Sequence, residues 1–299
     1  MPAQSDASTF AVHVDCDNLS IYETEFGIPV SDRQDLIYTQ ALPALMEIFA
    51  RWNIRATFFV IGNELRHSSC VQFCRNAVAK GHRIGNHSFF HRVDYAQLTG
   101  RQKRQEIIDT DRAIAEATGQ KPLGFRAPGY HIDAEVISTL AESGYRYDSS
   151  ILPGPAGRMI GAYMALIGRG GIGKSFGPWS SVFASQRPHL IDGTHGGLWE
   201  YPIATFPVVR LPIHSTFAYR FGEGYLRTAL RLLKGIAGHH IYLLHAIDGL
   251  DHPSPEDFKG NVIPLRLTFA QRCGFLERLG ALLQGRVALT EEIAAAASA

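Results

Sequence analysis

The sequence predicts an α/β protein built as a closed or nearly closed (β/α) barrel of seven or eight units. Three observations lead there. Short β-branched or aromatic runs alternate with helical patterns almost to the end of the chain, which implies parallel strands joined by right-handed crossovers. The length, 299 residues, is near the upper end of what one hydrophobic core supports, and single α/β barrels often reach it. Finally, Asp15, Asp17, His87, Arg126 and His245 all fall at the ends of candidate strands, where such barrels gather their chemistry.

Strands are expected over 10–15, 56–61, 82–87, 123–126, 145–148, 199–203 and 240–245, with 286–289 as the weakest pattern. Each is a short apolar or β-branched run. Helices are expected over 36–52, 69–80, 99–118, 133–143, 223–236 and 266–283, and Gly81, Gly119, Gly144 and Gly238 follow them where C-cap glycines belong. Residues 151–198 break this rhythm. They are rich in Gly, Pro and Ser, with an apolar patch over 159–167, and are expected to be an ordered insertion serving as a lid or substrate-binding loop. The domain reading is a single barrel over 10–290, with a disordered tail at 1–9 and a second tail at 291–299.

Composition narrows the function. Apolar content of 45%, charged content of 19% and a net charge of +1 describe an ordinary globular protein with no electrostatic reason to bind nucleic acid. Four cysteines, Cys16, Cys70, Cys74 and Cys273, make no disulfide framework in so long a chain and are expected as free thiols. The polar stretch 1–9 lacks the blocks of a signal peptide, and no run approaches the roughly 20 apolar residues of a membrane span. A cytoplasmic protein is expected. Residues 168–175 match the phosphate-loop pattern GxxxxGK[ST] at every position, but Phe176-Gly177-Pro178 follow. Proline there blocks the helix that would face the phosphates, so no nucleotide is expected.

The chemistry lies in two short segments. Asp15-Cys16-Asp17 ends the first strand, and positions two apart in a strand share a face. His87 and His91, in His87-Ser88-Phe89-Phe90-His91, are spaced to share one side of a helical turn. Two imidazoles and a carboxylate suit zinc or a similar divalent ion, with a position left open for water. A second carboxylate nearby can take a proton from that water. Arg126, in Gly124-Phe125-Arg126-Ala127-Pro128-Gly129-Tyr130, can keep Asp15 ionised. His245 can protonate a leaving amine.

In this order, Asp-x-Asp, HSxxH, RAPG and a late strand ending in Leu244-His245 resemble the polysaccharide deacetylase family, also called NodB-homology or carbohydrate esterase 4. The segments 55–62 and 144–150 are also similar to its recurrent strands. The resemblance implies a distorted (β/α) barrel and a metal-dependent hydrolase that removes N-acyl groups, usually acetyl, from amino sugars. It implies Asp15 as catalytic base and Asp17, His87 and His91 as ligands of one divalent ion, with zinc as the default. It further implies Arg126 as the residue orienting the base, His245 as the acid, and an oxyanion held partly by a backbone N–H near Gly129 or Tyr130.

The family's first motif has adjacent aspartates followed by glycine, whereas here Cys16 separates them and Asn18 follows. Split forms resemble deformylases of lipid-linked amino sugars. That resemblance and the apolar runs at 159–167 and 211–213 raise a glycolipid substrate and peripheral contact with the inner membrane face. The acidic–tryptophan pair that tunes the acid histidine has four candidates, Trp179, Trp199, Glu200 and Asp248. A hydrolase of small cyclic amides or ureides and a non-catalytic glycan-binding relative remain as alternatives.

Overall fold

The computed structural model describes residues 8–26, 35–166, 177–191, 197–251 and 263–297. Among them, eight strands form one sheet: β1 (Ser8–Asp15), β2 (Ala56–Val60), β3 (Arg83–Asn86), β4 (Gly124–Phe125), β5 (Tyr147–Asp148), β6 (His189–Leu190), β7 (Trp199–Glu200) and β8 (Gly238–His245). Their spatial order is β6-β7-β5-β4-β3-β2-β1-β8. Every pairing is parallel except β6 with β7. Between β7 and β8 the ring closes through isolated contacts. Tyr201 donates to the Asp148 carbonyl, then Ile203 bridges to Ile241 and the Ala204 N–H reaches the Ile241 carbonyl at 3.0 Å. This is the distorted barrel the sequence predicts, with four strands only two residues long.

The strands read as continuous apolar runs because both faces are covered. On β1, Phe10, Val12 and Val14 point outward into the main core, against helices α2 (Leu42–Arg51) and α3 (Ser68–Ala79). Ala11 points into the barrel with Phe59, Tyr147, Tyr201 and Ile241. Burying such side chains contributes roughly 1.5–3 kcal/mol each.

Several expectations need correction. Ser8 and Thr9 belong to β1 rather than to a tail. Residues from 291 continue helix Thr290–Ala297, whose Ile293 and Ala294 plug the barrel floor. An alanine-rich end looks featureless until its two apolar contacts are counted. Residues 286–289 form no strand, and only Val287 bridges to Phe10. The insertion holds a helix, Ala156–Leu166, and the antiparallel β6. Helices Leu19–Phe26 and Ser215–Phe221 were unforeseen. The four cysteines are free, with Cys16, Cys70 and Cys74 buried. Residues 168–175 lie outside the described residues.

Candidate metal centre and active site

β1 ends between two parallel neighbours, and the register pairs Asp15 with Phe59 on β2 and with His245 on β8. Strand alternation turns Asp15 into the barrel and Cys16 out of it, where the thiol packs in the main core and points back to the Val14 carbonyl. Asp17 follows just beyond the strand. Asn18 anchors the exit by donating to Glu64 and accepting from the Leu19 N–H.

His87 and His91 do come together, with ring centroids 4.8 Å apart, but not on a helical turn. The segment is a tight loop in which Ser88 and His91 take positive φ values of 62° and 46°, conformations that L-residues adopt uncommonly. Hydrogen bonds hold it there. Asn86 accepts from the Ser88 N–H, and the Ser88 hydroxyl accepts from the His91 N–H. Glu106, on helix α4 (Gly100–Thr118), accepts from the N–H groups of Phe89 and Phe90 at 2.8 Å each. The sequence reading missed Glu106. Its only signal was a carboxylate on the mostly buried side of the helix.

The loop brings three buried ligands to one point. One donor atom each from Asp17, His87 and His91 lies within 4.8 Å of the others. Asp17 Oδ1 is 3.4 Å from His87 Nε2 and 3.5 Å from His91 Nε2. The other nitrogen of His87, Nδ1, lies 2.7 Å from the Arg126 carbonyl. A carbonyl only accepts, so Nδ1 carries the proton and the Nε2 lone pair faces Asp17. Asp17 Oδ1 has no hydrogen-bond donor among the described residues. A buried carboxylate oxygen flanked by two imidazole nitrogens and lacking a donor fits a divalent cation.

The charges are organised accordingly. Burial alone would raise the Asp17 carboxyl, yet His91 and His87 outweigh it and hold it well below the usual range. Burial lowers His91 to about 4, keeping it neutral. For His87 burial acts downward too, but Asp15, Asp17 and the Arg126 carbonyl raise it above its ordinary value.

Arg126 is fully buried beneath Asp15. Its Nε lies 3.9 Å from Asp15 Oδ1, and its Nη2 donates to His13 Nδ1 at 2.9 Å and to the Ser149 hydroxyl at 3.2 Å. His13 passes the contact on, with Nε2 2.7 Å from the Thr290 hydroxyl. Burial, then Arg126, keep the His13 ring well below its ordinary pKa and hence neutral. A guanidinium can only donate, so a neutral imidazole is the acceptor this position requires. His13 too went unnoticed, although it sits two positions before Asp15 on the same strand face.

His245 ends β8, and its backbone N–H donates to Asp248 Oδ2 at 3.0 Å. Burial raises the Asp248 carboxyl. Arg272, on the helix Phe269–Leu283, fixes this segment by donating to the carbonyls of Asp248 and Leu250. Of the four candidates for a partner to His245, Asp248 alone is held against it. Trp179 is exposed, Trp199 lies tilted against Tyr201, and Glu200 is buried against Asp148 and the Ile151 N–H. Gly129 and Tyr130 both take left-handed φ values near 60°. The Tyr130 N–H turns back to the Ala127 carbonyl at 3.3 Å, and the Gly129 carbonyl accepts from Gly177 in the insertion. That contact brings the insertion to the site.

Comparison with known proteins fits this barrel. The family model for polysaccharide deacetylase matches residues 33–147. Over that stretch the chain is similar to the polysaccharide deacetylase (NodB-homology, carbohydrate esterase 4) family. A peptidoglycan deacetylase of Helicobacter pylori is 26% identical over 111 residues, 37% of either chain. The match thus spans about a third of that curated relative. A Pseudomonas aeruginosa protein described as a probable polysaccharide deacetylase superposes with a TM-score of 0.62 at 16% identity, covering 97% of this chain and 91% of that one. The PuuE allantoinase superposes with a TM-score of 0.61 at 15% identity, covering 98% and 91%. These structural likenesses concern the fold.

Proposed function

We propose that the protein is a hydrolase that removes an N-acyl group, acetyl or formyl, from an amino sugar. The observation that carries this reading is the convergence of Asp17, His87 and His91 beside Asp15 and His245, which are paired across neighbouring strands. The family-model match over residues 33–147 and the peptidoglycan deacetylase relative support the substrate class.

Asp17, His87 and His91 would hold one divalent ion, with zinc favoured by the donor set. When bound, the ion supplies Lewis-acid polarisation of the amide carbonyl and lowers the pKa of water. Asp15 takes the proton from the attacking water, with the Arg126 guanidinium 3.9 Å behind it as the neighbouring cation that aims the carboxylate. As the carbon–nitrogen bond breaks, His245 gives its proton to the departing amine nitrogen. The products are a free amino sugar and acetate or formate. The backbone N–H of Gly129 would face the developing oxyanion, since that of Tyr130 is turned to the Ala127 carbonyl. A sugar linked to a lipid carrier is the finer form of the proposal, supported by exposed apolar side chains in the insertion.

The test is metal content together with release of acetate or formate from N-acetyl and N-formyl amino sugars, before and after chelation, with allantoin alongside. About one divalent ion per chain and chelator-sensitive release support the proposal. Hydrolysis of allantoin alone would move the reading to ureides, and a protein that binds no ion after reconstitution would overturn it.

A further inference from the structure

Eight of the eleven large apolar side chains left exposed among the described residues fall between Met159 and Leu211. Trp179 is 71% exposed, Phe183 87% and Val208 90%. Scattered single exposures need no explanation, but a concentration does. Segments 151–198 and 201–214 leave the carboxyl ends of β5 and β7, the barrel end that carries Asp15 and His245. The Gly177 N–H donates to the Gly129 carbonyl and the Gly154 N–H to the Ser181 carbonyl, so the turn carrying Trp179 and Phe183 lies at that end.

This surface is built. Arg210 Nη1 donates to the carbonyls of Val182 (3.2 Å) and Ala184 (2.8 Å). Gln186 Nε2 reaches the Thr205 hydroxyl and the Phe206 carbonyl. Thr205 and Pro212 form an antiparallel bridge that closes a hairpin with Val208 and Val209 at its tip. The turn carrying Trp179 and Phe183 and the hairpin are thus one unit.

Its charge says what covers it. Within 151–222 there are six Lys or Arg against two Asp or Glu, a balance of +4 in a chain whose total is +1. Of the two acids, Glu200 is fully buried. Arg158 lies over the Trp179 ring at 4.8 Å. Arg187 and Arg220 are exposed, and neither forms an ion pair with a described carboxylate. Exposed aromatic and aliphatic tips beside Arg187 and Arg220 match an anionic lipid interface, where apolar tips enter the headgroup boundary and arginines meet phosphates. We propose that the turn 179–183 and the hairpin 205–212 dock the protein on an anionic membrane surface with the site mouth facing the lipid. This inference concerns where the protein sits and is independent of which bond it cleaves.

Co-sedimentation with phosphatidylcholine vesicles containing about 30% phosphatidylglycerol tests it, with phosphatidylcholine alone as control. We expect binding to the anionic vesicles, reduced about tenfold or more by the combined Phe183→Ser, Val208→Ser and Val209→Ser variant and by ~0.5 M salt. These exposed positions leave the core intact, which a thermal melt verifies, and release from a water-soluble N-acyl sugar separates docking from hydrolysis. Absence of vesicle binding, or binding indifferent to the triple variant, overturns the proposal. So does a dimer in sedimentation velocity that the triple variant dissolves while vesicles are ignored, because the face would then belong to a second copy.

Discussion

Asp15 and His245 are Cα partners across the parallel pair β1–β8. Neighbouring strands run about 4.8 Å apart, so two ends in register put a carboxylate and an imidazole on either side of one small opening. In the proposed mechanism neither side chain substitutes for the other, because one accepts a proton and the other delivers one. Asp15→Asn should lower turnover by about 10²–10⁴ while leaving bound metal nearly unchanged. His245→Asn should do the same, with the larger loss on substrates whose leaving amine is the more basic. Comparison of turnover and metal content in the two variants checks this. If D15N kept most of its activity, Asp15 would not be the base.

The metal ligands should behave differently. His87→Ala removes a donor whose orientation is fixed by the Arg126 carbonyl, so metal and activity should be lost together. Chelation of the native protein should reproduce that loss, and added zinc should reverse it in the native protein but not in H87A. Metal analysis beside the release assay reads both. Full activity after exhaustive chelation would remove the ion from the mechanism.

Strand ends were legible in the sequence because a parallel barrel buries both faces of each strand, so 10–15, 56–61 and 240–245 stand out as apolar runs closed by polar residues. What could not be read was local conformation set by tertiary partners. His87 and His91 suggested a helical turn by spacing alone, yet their approach depends on positive φ values at Ser88 and His91 and on a carboxylate 15 residues beyond His91. His13 was invisible for a related reason. An imidazole on a strand signals nothing until Arg126, 113 residues away, is found donating to it. The C-terminal helix looked like a tail because its anchors, Ile293 and Ala294 in the barrel floor, Thr290 against His13, and Glu291 and Glu292 paired with Arg83 and Arg55, all have partners far off in sequence.

Glu106 therefore makes a sharp test of the loop. Its carboxylate accepts two backbone N–H groups of the turn between the histidines, and charge-assisted bonds are roughly twice as strong as neutral ones. Glu106→Gln keeps size and one acceptor oxygen but removes the charge. Zinc affinity by calorimetry should fall about 10–100-fold, the usual range for groups that orient ligands, with little change in melting temperature of the metal-free protein. Equal affinity in E106Q and the native protein would mean the turn holds itself.

His82 predicts how stability responds to acid, away from the site. It is buried against Phe49 and Phe58, and its Nδ1 accepts from the Ala56 N–H at 3.1 Å. Burial, then Lys80 and Arg55, lower it from 6.5 to about 4. The unfolded chain therefore binds a proton below about pH 6.5 that the folded chain refuses until about pH 4. His82's contribution is complete above the upper value, declines as pH falls through this window and is gone near its lower edge. Between pH 7 and 5 the linkage amounts to about 2 kcal/mol. His82→Asn preserves an acceptor for Ala56 and cannot be protonated in this range. Urea unfolding at the two pH values should show the variant losing about 2 kcal/mol less than the native protein. The same acid sensitivity in both proteins would place the titrating group elsewhere, with His13 and His214, two further buried histidines whose pKa values burial lowers, as the next to substitute.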